Sequence, residues 1–186
     1  MDTIKLDALL KDAKLQGRLI KAIHAGKVII YPTDTVYGIG CDASNADAVR
    51  RIRALKGTEH PFSVIAPSKE WMQHNLVINH QDYLDKLPGP YTLIFTKKEK
   101  RFLSETAPGP SLGVRIPDHQ LTWIFQKTGL PVVTTSANVS GSPFLVKPSD
   151  IKEHFDVAMF VDAGALPGTP STVVDLTGTE PRVLRT

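Results

Sequence analysis

The stretch Gly26–Ala43 reads GKVIIYPTDTVYGIGCDA, and its reading decides the fold class. Val28–Tyr31 is a short apolar run of the kind that forms a buried strand. Pro32 has no amide hydrogen for a sheet ladder, so the strand must stop there. Thr33, Asp34, Thr35 and Tyr37 then crowd polar groups into one connection, and Gly38 and Gly40 permit sharp bends before a helix begins. In α/β proteins, connections at strand ends are where ligands commonly bind.

Working outward, Leu15, Leu19, Ile20 and Ile23 share helical spacing, which predicts a helix over Leu15–His24 with Gly26 as its terminator. On the other side, Ser44 with Asp47 predicts a capped helix burying Ala48, Ile52 and Leu55. Arg50, Arg51, Arg53 and Lys56 crowd that helix. Cations near a helix C-terminus complement its dipole, which is one reading. The other is an anion-binding edge, with Lys56 and Arg53 the candidates.

Further strands are predicted at Phe62–Ala66, Thr92–Thr96, Ser111–Pro117, Val132–Thr135, Met159–Val161, Ser171–Leu176 and Arg182–Arg185. Helices are predicted after Ser68, around Gln81–Leu87, after Asp118, and at Asp150 with Glu153. Lys97, Lys98, Lys100 and Arg101 read as a solvated turn, and Gly164–Pro170 as a flexible segment. Some strands follow one another with no helix between them. The pattern therefore predicts an α/β fold: a single domain over 1–186 with a mixed sheet flanked by helices.

Two further clusters attract attention. Arg115 sits among apolar neighbours, and arginine is rarely buried without a partner. It is either half of a structural ion pair or a clamp for a carboxylate or phosphate. The strand at Val132–Thr135 opens into Ser136-Ala137-Asn138-Val139-Ser140-Gly141, more hydroxyl and amide groups than a tight turn needs.

Composition excludes several classes. The net charge is +3, which tolerates an anionic ligand without demanding nucleic acid. Cys41 is the only cysteine, so neither an internal disulfide nor a paired-cysteine metal site is possible; it reads as a packing residue. The six histidines show no metal-ligand spacing, and P-loop, Rossmann and G-x-S-x-G signatures are absent. The N-terminus is charged throughout and no apolar run approaches membrane-spanning length, so a cytoplasmic protein without membrane contact is expected.

Five segments together resemble the YrdC-like family of threonylcarbamoyl-AMP synthases. They are Tyr31–Gly38, Pro88–Thr92, Gly113–Pro117, Thr135–Gly141 and Ser171–Asp175, in the family's order and across most of the chain. The resemblance implies a twisted α/β sheet with a concave, positively charged face, in a short single-domain form. It implies condensation of L-threonine, bicarbonate and ATP into threonylcarbamoyl-AMP and pyrophosphate. The product would serve tRNA threonylcarbamoyladenosine modification through a downstream transferase complex. By resemblance, Thr35, Arg115, Thr134 and Ser171 face threonine, and Lys56, Ser111, Ser136, Asn138 and Arg185 face ATP. Magnesium is expected to accompany ATP, held by phosphates and water rather than by protein ligands. No protein nucleophile is expected, because the chemistry needs alignment and charge neutralisation.

One departure stands out. Where the family places Lys-x-Arg-Pro, this chain has Lys56-Gly57-Thr58-Glu59-His60-Pro61, so the arginine is replaced by Thr58; the preceding Arg51-Ile52-Arg53-Ala54-Leu55 looks closer to the YciO-like branch, whereas Ser136-Ala137-Asn138 resembles the synthases. Arg53 or His60 are candidate substitutes. An RNA-binding protein on the same scaffold, with weak or no synthase activity, is the alternative reading. A related carbamoyl or acyl adenylate enzyme acting on another amine is a third.

Overall fold

The computed structural model describes residues 1–151 and 156–186. Eleven strands form the sheet: β1 (Asp2–Lys5), β2 (Ile29–Tyr31), β3 (Gly38–Gly40), β4 (Ser63–Ile65), β5 (Leu76–Val77), β6 (Tyr91–Lys97), β7 (Ser111–Arg115), β8 (Val132–Ser136), β9 (Met159–Asp162), β10 (Thr172–Asp175) and β11 (Arg182–Arg185). Their spatial order is β1-β9-β2-β3-β8-β4-β7-β6-β10-β11, with β5 paired to β6. The sheet is mixed: β2 runs parallel to β9 but antiparallel to β3, and β4 runs parallel to β7 but antiparallel to β8. The helices are α1 (Leu6–Lys11), α2 (Ala13–His24), α3 (Ala46–Lys56), α4 (Lys69–Asn75) and α5 (Thr122–Gln126).

The two faces of the sheet have different fates. Successive side chains point to opposite faces. Ile30, Ile39, Val64, Leu93, Val114 and Val133 point to one face and join a large core with Ile52 of α3. Ile29, Tyr31, Ile65 and Val132 point to the other and meet Leu19 and Ile23 of α2 and Ile124 and Phe125 of α5. That second core covers only part of its face. Across β6, β7 and β10 the same face carries Thr92, Ile94, Gly113 and Val173, which line the cleft described below.

The stretch that opened the sequence reading folds differently in one respect. Gly38–Gly40, read as a bend, is strand β3, antiparallel to β2 and to β8. Tyr31 explains why glycines form a strand here. Its ring lies over β3, so a Cβ at Gly38 or Gly40 would come within 3.0 Å of it, and one at Gly40 would also meet the Val133 carbonyl at 2.0 Å. The Tyr31 hydroxyl donates to that same carbonyl at 3.1 Å.

Several local expectations are corrected. Asn45, not Ser44, caps α3, its Oδ1 accepting from the Ala48 amide at 3.0 Å. Ser44 instead donates to Asp42 through both its amide and its hydroxyl. Asp118 caps no helix; its amide donates to Asp34, and α5 has no side-chain cap. The helix at Gln81–Leu87 is a 3₁₀ helix over Gln81–Lys86. Lys97 is not in a solvated turn: it is buried, with Nζ donating to the Phe102 and Ala107 carbonyls at 2.9 and 2.7 Å. The Gly164–Pro170 segment is pinned, with Leu166 donating to the Val146 carbonyl and Gly168 to that of Thr35. Asp150 lies in a 3₁₀ turn, Pro148–Asp150, while Glu153 lies outside the described residues. The N-terminal residues, to which the sequence assigned no element, form β1 alongside β9 and then α1. No described helix is long and apolar enough to cross a membrane.

Candidate active site

Register places the cleft. Gly113 of β7 registers with Ile94 of β6; Thr92, on the same face of β6, registers with Val173 of β10, and Val173 with Arg185 of β11. Ser63 registers with Thr134, and Gly38 with Ser136. These residues line one cavity of about 360 Å³, closed along one side by Thr33, Val36 and Pro170–Ser171. Among the described lining residues there are two arginines, a band of serine and threonine hydroxyls, and no carboxylate. Such a lining suits a polar anionic ligand. Gly113 forms part of the floor: a Cβ there would approach the Ser63 hydroxyl to 2.4 Å.

Arg115 is 7% exposed, and the ion-pair reading of it holds. Its Nη2 pairs with Asp34 Oδ1 at 2.5 Å, and its Nη1 donates to the Thr35 hydroxyl at 3.3 Å. Its Nε is buried and has no partner among the described residues. A guanidinium has five N–H donors, so the ion pair leaves capacity for a ligand. Burial pulls the Arg115 pKa down, and Asp34 opposes the shift. A buried unpaired donor is costly. Thr35 is held by the Thr33 hydroxyl, which lies 2.8 Å from its own and also donates to the Val36 carbonyl at 2.7 Å.

In the same lining, the Ser171 hydroxyl lies 2.8 Å from that of Thr92. Arg185 donates to the Ser171 carbonyl through Nε and Nη2, at 3.1 and 2.9 Å, and to its hydroxyl at 3.1 Å. Ser111, Thr134 and Ser136 line the same cavity.

Lys56 and Asn138 are placed differently. Lys56 is 5% exposed and stands behind the cleft, its Nζ donating to the Ser136 and Asn138 carbonyls at 2.7 and 2.9 Å and to Asn138 Oδ1 at 3.5 Å. An ammonium has three donors, and all three are engaged. Burial brings its pKa down to about 8. Asn138 Oδ1 also accepts from the Ser136 hydroxyl at 2.5 Å, and its Nδ2 donates to the Ser142 carbonyl at 2.6 Å. Together they shape the turn that presents Ser136. Arg53 is equally committed, to the carbonyls of His60, Glu105 and Thr106 and to the face of Phe62 at 4.5 Å. It therefore offers no free replacement for the missing arginine. Thr58 borders a separate surface depression beside Arg50 and Glu105.

Residues 21–186 match the model of the Sua5/YciO/YrdC family, described as "Telomere recombination". The chain belongs to that family. It is 31% identical over 176 residues to a threonylcarbamoyl-AMP synthase of Serratia proteamaculans, covering 88% of this chain and 93% of the relative. The Sua5 structure from Pyrococcus abyssi complexed with L-threonine superposes with a TM-score of 0.85 at 26% identity. That match covers 99% of this chain, which spans 56% of the Pyrococcus protein. Escherichia coli YciO superposes with a TM-score of 0.83 at 25% identity, covering 99% of this chain and 93% of YciO.

For this member of the Sua5/YciO/YrdC family, the sequence reading gave no role to Asp34, Thr33, Ser63 or Thr92. Asp34 is the partner that the ion-pair reading of Arg115 required, but a lone acidic residue in a connection gives no signal of which strand it will meet. Ser63 carries a weak signal, as a single hydroxyl on an otherwise apolar strand.

Proposed function

We propose that this chain is an L-threonylcarbamoyladenylate synthase, a nucleotidyltransferase that makes threonylcarbamoyl-AMP and pyrophosphate from L-threonine, bicarbonate and ATP. The observation that carries the reading is the unpartnered buried Nε of Arg115 in a hydroxyl-rich cleft that holds a second arginine and no carboxylate among its described lining residues. Arg115 takes the amino-acid carboxylate, with Thr35, which is absent from the cavity lining, accepting from its Nη1 behind it; Thr134 and Ser171 complete the pocket. Ser111, Ser136 and Arg185 face the nucleotide, and Lys56 with Asn138 supports Ser136 from behind. The synthase names of its relatives support the same activity.

The chemistry follows from alignment. The threonine amine, having lost a proton, attacks the bicarbonate carbon; a C–O bond breaks with loss of water, leaving a carbamate. A carbamate oxygen then attacks the α-phosphorus, the bond to the β-phosphate oxygen breaks, and pyrophosphate leaves. Arginine and hydroxyl donors offset the negative charge that accumulates. Holding the reactants together supplies the rest of the acceleration. Magnesium enters as part of the ATP substrate, since the cleft presents hydroxyls and arginines rather than carboxylates to it. The product passes to a transferase complex acting on tRNA.

Threonine-dependent pyrophosphate release from ATP and bicarbonate tests the reading. A second reading, a YciO-like protein with weak synthase activity that binds RNA, is favoured by Thr58 in place of the arginine and by the full engagement of Lys56 and Arg53. It predicts salt-sensitive RNA binding without nucleotide turnover. A panel of amino acids in the same assay separates threonine from another amine.

A further inference from the structure

The two arginines of the cleft differ in their partners. Arg115 is buried against a carboxylate: Asp34 Oδ1 lies 2.5 Å from its Nη2, and the two side chains are 8% and 10% exposed. The second oxygen of Asp34 accepts from the Asp118 amide at 3.0 Å, which fixes the carboxylate to the segment that follows β7. Arg185 meets only the carbonyl and hydroxyl of Ser171, and no ion pair involving it occurs among the described residues. One arginine of the cleft is therefore neutralised by a carboxylate, and the other meets only uncharged groups among the described residues.

The proposed reaction brings two anions of very different charge into this one cavity. A polyphosphate is drawn most strongly to uncompensated positive charge, because Coulomb attraction scales with both charges. A single carboxylate gains much of its binding from a directional, charge-assisted hydrogen bond, which the guanidinium of a lining residue such as Arg115 can offer. Without Asp34, Arg115 would be a full buried cation within electrostatic reach of Arg185, and the two together would form a stronger polyphosphate site than either alone.

Building on the synthase reading, we infer that Asp34 is a specificity-determining residue: by pairing with Arg115 it reserves that arginine for the amino-acid carboxylate and keeps polyphosphate from it. Specificity of this kind comes from a repulsive element as much as from an attractive one. Asp34 is not a catalytic residue, because it is absent from the cavity lining.

The experiment measures L-threonine binding to the purified full chain by calorimetry, with and without millimolar inorganic pyrophosphate, in the absence of ATP and metal. In the wild type, pyrophosphate is expected to change the threonine affinity by less than about twofold. In Asp34→Asn, the pyrophosphate is expected to compete and weaken threonine binding by about tenfold or more. Asp34→Glu, which keeps the charge, restores independent binding. Asp34→Ser keeps an acceptor for the Asp118 amide and gives the same readout should the asparagine variant not fold. A merely structural role would weaken threonine equally with and without pyrophosphate. Independent binding in both neutral variants, or competition already in the wild type, overturns the inference alone. A wild type that binds no threonine overturns the synthase reading itself.

Discussion

Replacing Arg115 by alanine has two separable consequences. The first is at the ligand. Losing a charge-assisted hydrogen bond costs about 1.5–3 kcal/mol, so the threonine requirement rises by about 10- to 150-fold. The ATP requirement changes far less, because Ser136 and Arg185 remain in place. The second consequence is in the fold. Asp34 is left at 10% exposure without its cation, and stranding one member of a buried pair costs about 3–5 kcal/mol. Adding Asp34→Asn removes the stranded charge, so the double variant is more stable than Arg115→Ala alone. Steady-state kinetics with each substrate varied in turn measures the first effect, and urea unfolding of the single and double variants measures the second. Equal rises in both Michaelis constants, in a variant that remains folded, would refute the carboxylate role. A double variant no more stable than the single one would refute the stranded charge.

Lys56 makes a pH prediction. Burial brings its pKa to about 8, whereas an unfolded lysine titrates near ~10.4. Between those values the unfolded chain binds more protons, so this group's contribution to stability rises with pH there and is flat at pH 7. Wild type measured against Lys56→Met should gain up to ~1.4 kcal/mol per pH unit across that window, and a difference that does not change with pH argues against a buried ammonium. Asn138→Ala frees the Ser136 turn and one Lys56 donor, so it should raise the ATP requirement more than the threonine requirement; the reverse order would place the turn at the wrong end of the cleft. Gly40→Ala drives a Cβ towards the Val133 carbonyl, a backbone atom held in the sheet, and should destabilise by at least ~1–3 kcal/mol in thermal unfolding; a neutral effect would contradict the β3–β8 packing.

How far the sequence could be read depended on the range of the interactions. Val28–Tyr31 and Val132–Thr135 were legible because an apolar run ended by Pro or hydroxyl residues needs no partner to identify it. Gly38–Gly40 was not, since two glycines carry little strand preference of their own and the strand exists because Tyr31 requires bare backbone beneath its ring. β1 was invisible for a similar reason: Asp2–Lys5 has one buried residue, Ile4, and its partner β9 lies more than 150 positions away. In the site, Arg115 was legible as an arginine among apolar residues, but its pairing with Asp34 is a property of the assembled sheet. The cations of α3 were the most misleading. Density on one helix suggested an anion-binding edge, yet Lys56 and Arg53 spend their donors on backbone carbonyls, a role sequence spacing does not encode.

The central claim is that the cleft joins threonine to a nucleotide. Purified protein incubated with ATP, magnesium and bicarbonate, with and without L-threonine, tests it most directly. The account predicts pyrophosphate release that depends on threonine and on bicarbonate, with threonylcarbamoyl-AMP as the coupled product. Saturating substrates that yield no threonine-dependent pyrophosphate would contradict it.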